Sequence, residues 1–230
     1  MNIVYCLSRS LYPYLKASIQ SLLEHNEPTK IYILAEDDDI PVVIPCKHEV
    51  INVSGQQFYP KDGPNIAGRH NYFTYMTMMR ACIPELIRAS KVICLDVDTI
   101  ICDSLQPLWD ISLKGKWLGW CPEYLGRWSP YGKQYHNFGV TVMNLSQMRK
   151  DKATQTVVDL LNTQPFRFLE QDVFNLIAVP DKSVDIPVRF NECFCCGYTD
   201  NPAIVHYAGY GDWYRNHGIP RWEYAAKYLT

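Results

Sequence analysis

Short apolar runs rich in β-branched residues alternate along the chain with stretches whose apolar residues recur at helical spacing. Asn2–Leu7 predicts a first strand. Pro13–His25 predicts an amphipathic helix, with Tyr14, Ala17, Ser18, Leu22 and His25 along one side. Lys30–Leu34 predicts the second strand and Glu49–Val53 another. Gly55, Pro60, Gly63, Pro64 and Gly68 make residues 55–70 a loop. A helix is expected over about Asn71–Ala89, kinked or restarted at Pro84. Val92–Ile101 predicts a buried strand. It is followed by a strand at Trp117–Cys121, a Gly-, Pro- and aromatic-rich loop through Tyr135, and a strand over Gly139–Leu145. Helices near Ser146–Leu161 and Glu170–Ile177 and a strand at Ala203–Tyr207 precede an aromatic tail. Elements alternating in this way pack as layers, so the chain reads as a mixed-sheet α/β domain with one core.

Composition narrows the class. At 230 residues, with 47% hydrophobic and 20% charged positions, the chain is an ordinary globular one and long enough for a full core. A net charge of −2 gives no overall attraction to nucleic acid or anionic lipid. No run approaches the ~18 apolar residues of a membrane span, and the chain starts directly in a strand, so a cytoplasmic protein without a transmembrane segment is expected. The nine cysteines are odd in number and scattered, which suits reduced, largely buried thiols. Cys193-Phe194-Cys195-Cys196 is the densest group. Small buried side chains are the preferred reading there, because zinc sites usually pair C-x2-C spacing with partners elsewhere.

Asp96 and Asp98 close the most apolar run of the chain. Alternation along a strand sends both carboxylates to the same side, where two hard oxygen ligands can hold a divalent cation and leave room for phosphate oxygens. The end of a strand is also where ligands collect in open α/β sheets. On the tripeptide alone, an ordinary strand-to-loop transition is an equal reading. Glu36-Asp37-Asp38-Asp39 lacks the spacing and glycine of a calcium loop and reads as a solvated turn.

Four further stretches change the weight of that pair: Met79–Leu86, Leu105–Asp110, Tyr135–Leu145 and Glu170–Asn175, with Ile204–Gly209 as a fifth. In this order and spacing, from residue 2 to about residue 214, the chain resembles the family 8 glycosyltransferases, which include glycogenin and bacterial lipopolysaccharide galactosyl- and glucosyltransferases. The resemblance implies a retaining enzyme of the GT-A fold, one domain over 1–230 with a mixed, mostly parallel central sheet flanked by helices. A nucleotide-binding part would occupy about 1–110 and a donor-sugar and acceptor part about 111–230. It implies that Asp96, Asp98 and His206 hold Mn²⁺, with Mg²⁺ possible, bridging the diphosphate of a UDP-sugar. Arg80 would face the donor, with Leu7, Ser8 and Val97 on the nucleotide side and Asn137 close to sugar and acceptor. Glu170, Gln171 and Asp172 would surround the donor sugar and its anomeric carbon. Gly209 would let the backbone approach the diphosphate.

The chain departs from the family pattern in three places. Ser8 and Arg9 stand where an acidic pair usually follows the first strand. Asp212 stands near the usual phosphate-binding lysine, leaving Arg215 or Arg9 as substitute cations. Glu170 is one methylene longer than the usual aspartate. The expected reaction is transfer of a hexose, glucose or galactose first, to a glycan, lipid-linked sugar, protein or small molecule. A catalytically silent nucleotide-sugar or carbohydrate binder is the alternative. A haloacid-dehalogenase-type phosphatase fits less well, because its D-x-D motif opens the chain. Trp128, Trp213 and Trp222 are candidates for stacking on sugar rings, with core packing an equal reading.

Overall fold

The computed structural model describes residues 1–56, 75–124 and 134–229. Expectations for residues 57–74, including much of the predicted loop and the start of the predicted helix at Asn71, lie outside them, as does Trp128. Strands β1 (Asn2–Cys6), β2 (Lys30–Ala35), β3 (His48–Asn52) and β4 (Lys91–Leu95) pair in parallel in the order β3-β2-β1-β4. A further small pair is made of β5 (Thr99–Ile101) and β9 (Ile204–His206). The main sheet continues through β7 (His136–Asn144) and β6 (Leu118–Pro122), both antiparallel joins, to β8 (Ser183–Asp185), which is parallel to β6.

The first helix, α1 (Tyr12–His25), buries Ala17, Ser18 and Leu22 of the face its spacing predicts and a wider arc besides. Leu15, Ile19 and Leu22 are buried against the main sheet, while Ala17 packs under the β5–β9 pair. Ser21 Oγ accepts Ile101 N–H at 3.0 Å, and Ser18 Oγ lies 2.9 Å from the Tyr5 hydroxyl. A helix wedged between two sheets buries a wide arc, polar serines included, whereas His25 is exposed. Short helices α2 (Tyr75–Met78) and α3 (Ile83–Leu86) are separated by a 3₁₀ turn at Met79–Cys82, with Pro84 in the first turn of α3, so the expected continuous helix restarts there and ends early.

Two more expectations are corrected. Val92–Ile101 is not one strand, because the chain turns at Asp96–Asp98 and leaves the main sheet. Helix α4 (Gln106–Trp109) follows it. The expected Ser146–Leu161 helix is two, α5 (Leu145–Lys150) and α6 (Ala153–Thr163), broken where Lys152 takes a left-handed φ of 55°. Helices α7 (Leu169–Ala178) and α8 (Trp222–Ala226) complete the set. The apolar positions form one large cluster on each face of the main sheet, Ile3, Tyr5, Leu15 and Ile93 on one side and Val4, Val92, Phe138 and Phe174 on the other. No helix of the described residues is long and apolar enough to cross a membrane.

Candidate functional site

The two sheets meet at the acidic turn. Asp96 N–H donates to Gly139 O at 2.8 Å, the last rung between the end of β4 and β7, and Thr99 Oγ1 closes the turn on Asp96 O at 2.7 Å. Strand β5 then pairs Thr99 opposite His206, and Tyr207 N–H bonds Asp98 O at 2.9 Å. Topology thereby brings His206 beside carboxylates 108 to 110 positions earlier. Its Nε2 lies 3.4 Å from Asp98 and 3.8 Å from Asp96, and one ligand atom from each of the three lies within 4.8 Å of the others. The carboxylates are partly exposed (31% and 25%) and the imidazole is buried at 3%, so the cluster opens on the carboxylate side.

The proton on His206 follows from a chain of hydrogen bonds anchored on backbone. Gly139 N–H can only donate, and it donates to Asn137 Oδ1 at 3.0 Å. The same oxygen accepts Asn191 Nδ2 at 2.9 Å, which turns Asn191 Oδ1 toward His206 Nδ1 at 2.8 Å. An amide oxygen only accepts, so Nδ1 carries a proton and Nε2 is the ring nitrogen that faces the carboxylates. Burial works against charge on this ring, but Asp98 outweighs it and holds the imidazole well above its ordinary value. A cation bound there takes the place of that second proton.

Arg80 joins the acidic pair to helix α7. Its guanidinium bonds Asp96 at 2.5 Å and Glu170 Oε1 through Nε at 2.7 Å, with the Phe138 ring 5.0 Å away. Burial lowers its pKa, yet Asp96 and Glu170 more than reverse that. Glu170 is fully buried, and burial pushes it up to about 7 against the pull of Arg80. Its Oε2 has no hydrogen-bond partner among the described residues. The residue before it, Leu169, holds φ at 50°, a conformation costly for an apolar side chain and of the kind that concentrates at functional sites.

The model of glycosyl transferase family 8 covers residues 2–215. The chain belongs to glycosyltransferase family 8. A putative glycosyltransferase of Haemophilus influenzae is 28% identical over 213 residues, 83% of this chain and 63% of the relative. Glycosyltransferase GlyF of Streptococcus pneumoniae serotype 4 is 26% identical over 232 residues, 90% of this chain and 55% of its own length. The chain therefore spans less than two thirds of these curated relatives. The galactosyltransferase LgtC, solved with donor and acceptor sugar analogues, superposes on 100% of this chain and 97% of its own at TM-score 0.73 and 21% identity. GlyE of S. pneumoniae TIGR4 does so over 99% and 59%, at TM-score 0.75 and 18% identity. These likenesses show the GT-A fold.

Within this family 8 chain, the other expected site residues are distributed unevenly. Gln171 Oε1 accepts Phe138 N–H at 2.9 Å, and its Nε2 donates to the Tyr135 hydroxyl at 3.1 Å, which ties α7 to β7. Asp172 is 3% exposed and both oxygens are engaged, one by the Tyr135 hydroxyl and one by Phe168 N–H at 3.0 Å. That arrangement anchors the start of α7. Val97 is buried between the two aspartates, and Leu7 is buried with its N–H on Leu34 O at 3.2 Å. Ser8 Oγ bonds Ser10 Oγ at 3.1 Å. Gly209 sits in the left-handed region at φ 76°, where a glycine is needed.

Neither substitute cation touches the acidic cluster. Arg9 is paired with Asp37 at 2.5 and 2.9 Å, and its N–H bonds Glu36 at 2.7 Å. The Glu36–Asp39 turn is accordingly not fully solvated: Glu36 and Asp37 are half-buried and also accept Tyr75 and Tyr12 hydroxyls. Arg215 is exposed and lies over Tyr214, 5.0 Å from its ring centre, with Tyr214 stacked on Tyr14 at 4.1 Å. Trp213 is 4% exposed and stacks on Tyr207, a core position and not a sugar platform. The sequence reading missed Asn191 and Gly139. A Cβ on Gly139 would lie 2.1 Å from His206 Cε1, and a glycine inside a strand of large residues is the signal that flags such an approach.

Proposed function

We propose that the chain transfers a hexose from a UDP-sugar, with retention of configuration, at a divalent-metal site made by Asp96, Asp98 and His206. The observation carrying this reading is the convergence of those three ligand atoms within 4.8 Å beside the buried Arg80–Glu170 pair. Two carboxylates and one neutral imidazole form a donor set suited to Mn²⁺ more than to Mg²⁺. When bound, the ion offsets the charge that grows on the diphosphate as the anomeric bond breaks.

The chain's own groups supply the remainder. Arg80 orients Asp96 and holds the buried Glu170 in place beside it. Gln171, fixed by Phe138 N–H and Tyr135, sits beside it as a neutral positioning group. Asn137 and Asn191 keep His206 in its ligand tautomer. The lack of a lysine at Asp212, which is exposed, favours a weak grip on the diphosphate and keeps a silent binding role as the second reading.

A panel of nucleotide sugars incubated with Mn²⁺ tests both readings, with release of nucleoside diphosphate as the signal. Hydrolysis that falls at least about a hundredfold in a folded Asp98→Ala protein supports the transferase, on the scale of losing one electrostatic partner of the transition state. Binding without turnover supports the silent reading. Wild-type activity in Asp98→Ala, or in EDTA, ends the metal assignment.

A further inference from the structure

We infer that Cys193, Cys195 and Cys196 form a three-thiolate site for one thiophilic d¹⁰ cation of the Zn²⁺ class, a donor set distinct from the neighbouring carboxylate cluster. The three sulfurs of the 193–196 segment all lie within 4.8 Å of one another, with Cys193 and Cys195 Sγ 3.2 Å apart. Cys193 and Cys196 themselves have C-x2-C spacing.

The backbone is built to point them inward. Cys193–Gly197 is a tight turn closed by Gly197 N–H on Cys193 O at 2.8 Å, and Gly197 takes a φ of 107° that side chains avoid. In a tetrahedron with Zn–S bonds of about 2.3 Å, the sulfurs stand roughly 3.8 Å apart, so the close Cys193–Cys195 pair needs to open by only about half an ångström.

A second observation concerns charge. Two buried side-chain amides donate to sulfur here, Asn137 Nδ2 to Cys195 at 3.7 Å and Asn191 Nδ2 to Cys196 at 3.8 Å. An N–H aimed at sulfur is the outer partner that a metal-bound thiolate takes. A disulfide answers the geometry less well. It needs an S–S distance of about 2.05 Å between two members and leaves the third sulfur without a role. Because the three cysteines are 2–6% exposed, the ion enters as the chain folds. It would brace the 193–197 turn beside the Asn137–Asn191–His206 chain.

The test uses the whole chain expressed with added Zn²⁺ and desalted, with metal content measured by mass spectrometry. One zinc per chain is expected, retained in Asp98→Asn. Exchange for Co²⁺ should give the intense near-ultraviolet sulfur-to-cobalt charge-transfer band, which a carboxylate–imidazole site does not produce. Cys193→Ser and Cys196→Ser should weaken or abolish that band. Should those variants fail to fold, the wild-type cobalt spectrum decides alone. A wild-type chain that retains no zinc and gives no such band overturns the proposal. So does an ion lost from Asp98→Asn but kept by Cys193→Ser. Either result leaves the transferase reading intact, since that rests on donor turnover.

Discussion

Gly139→Ala tests the architecture of the acidic site without touching a ligand. The added Cβ would lie 2.1 Å from His206 Cε1 and 2.7 Å from both ring nitrogens. Ordinary carbon contacts sit near ~3.5 Å, so the ring must retreat by roughly 1.4 Å. The backbone of β7 cannot give instead, because Gly139 bonds through N–H to Asn137 and through its carbonyl to Asp96. His206 has little room behind it, being 5% exposed and bonded to Asn191. Such overpacking costs ~1–3 kcal/mol, at about 2–4 °C of Tm per kcal/mol for a chain of this length. A shift beyond ~0.5 Å is also enough to misplace a ligand, so Mn²⁺-dependent donor hydrolysis should fall about a hundredfold.

The control is the double variant. His206→Ala removes the ring, and the methyl added at position 139 then fits, so Gly139→Ala/His206→Ala should be no less stable than His206→Ala alone. The non-additivity expected from thermal melts is therefore about 1–3 kcal/mol, the full cost of the single change. Activity should stay low in the double variant, because the ligand is missing. Full activity in Gly139→Ala, or strictly additive stabilities, would refute the close approach of β7 to His206.

Other consequences follow from the same contacts. Asn191→Ala removes the acceptor that fixes His206 Nδ1 and should weaken Mn²⁺ binding with UDP by roughly 10–100-fold in calorimetry, whereas unchanged affinity would show that the ring needs no such support. Arg80→Met leaves Glu170 buried beside an apolar side chain and should destabilise the fold by ~3–5 kcal/mol in chemical denaturation. A loss below about 1 kcal/mol would mean the pair is compensated elsewhere. Asp151 is held down to about 2 from its ordinary 3.8 by Lys182, Trp117 and Gln147. A depressed carboxyl stabilises above its unfolded value and loses that contribution as pH falls through the folded one. The Tm gap between wild type and Asp151→Asn should thus be full at about pH 5 and above, and shrink between about pH 4 and 2.

The sequence announces the parallel half of the fold clearly, because β1, β2 and β4 are buried on both faces and read as continuous apolar runs. Legibility fails where a polar contact replaces apolar patterning. β7 begins at His136, three residues before the apolar run, because Asn175 takes its backbone N–H at 2.7 Å and its carbonyl at 2.9 Å. Strand β8 is only three residues long and owes its pairing to register with β6, not to composition. The break between α5 and α6 has no glycine or proline to mark it, only Lys152 in a left-handed conformation.

The site divides along the same line. Asp96 and Asp98 are local and visible, and the order of the stretches around them is enough to nominate His206 and Glu170 through resemblance. What no single stretch can express is the polar lattice between them. Asn137, Asn191 and Gly139 contribute no ligand and no charge, yet each hydrogen bond in the lattice fixes the sense of the next until only one nitrogen of His206 can face the carboxylates. Residues of that kind follow from satisfaction of buried donors and acceptors, a property of the folded chain rather than of any window along it. Each asparagine in that lattice also faces sulfur through its amide nitrogen, so a single amide orientation serves both clusters. Replacing Asn137 by aspartate would exchange an N–H for an anion at Cys195 while keeping the acceptor for Gly139, which makes it the substitution that separates the two sides of the lattice.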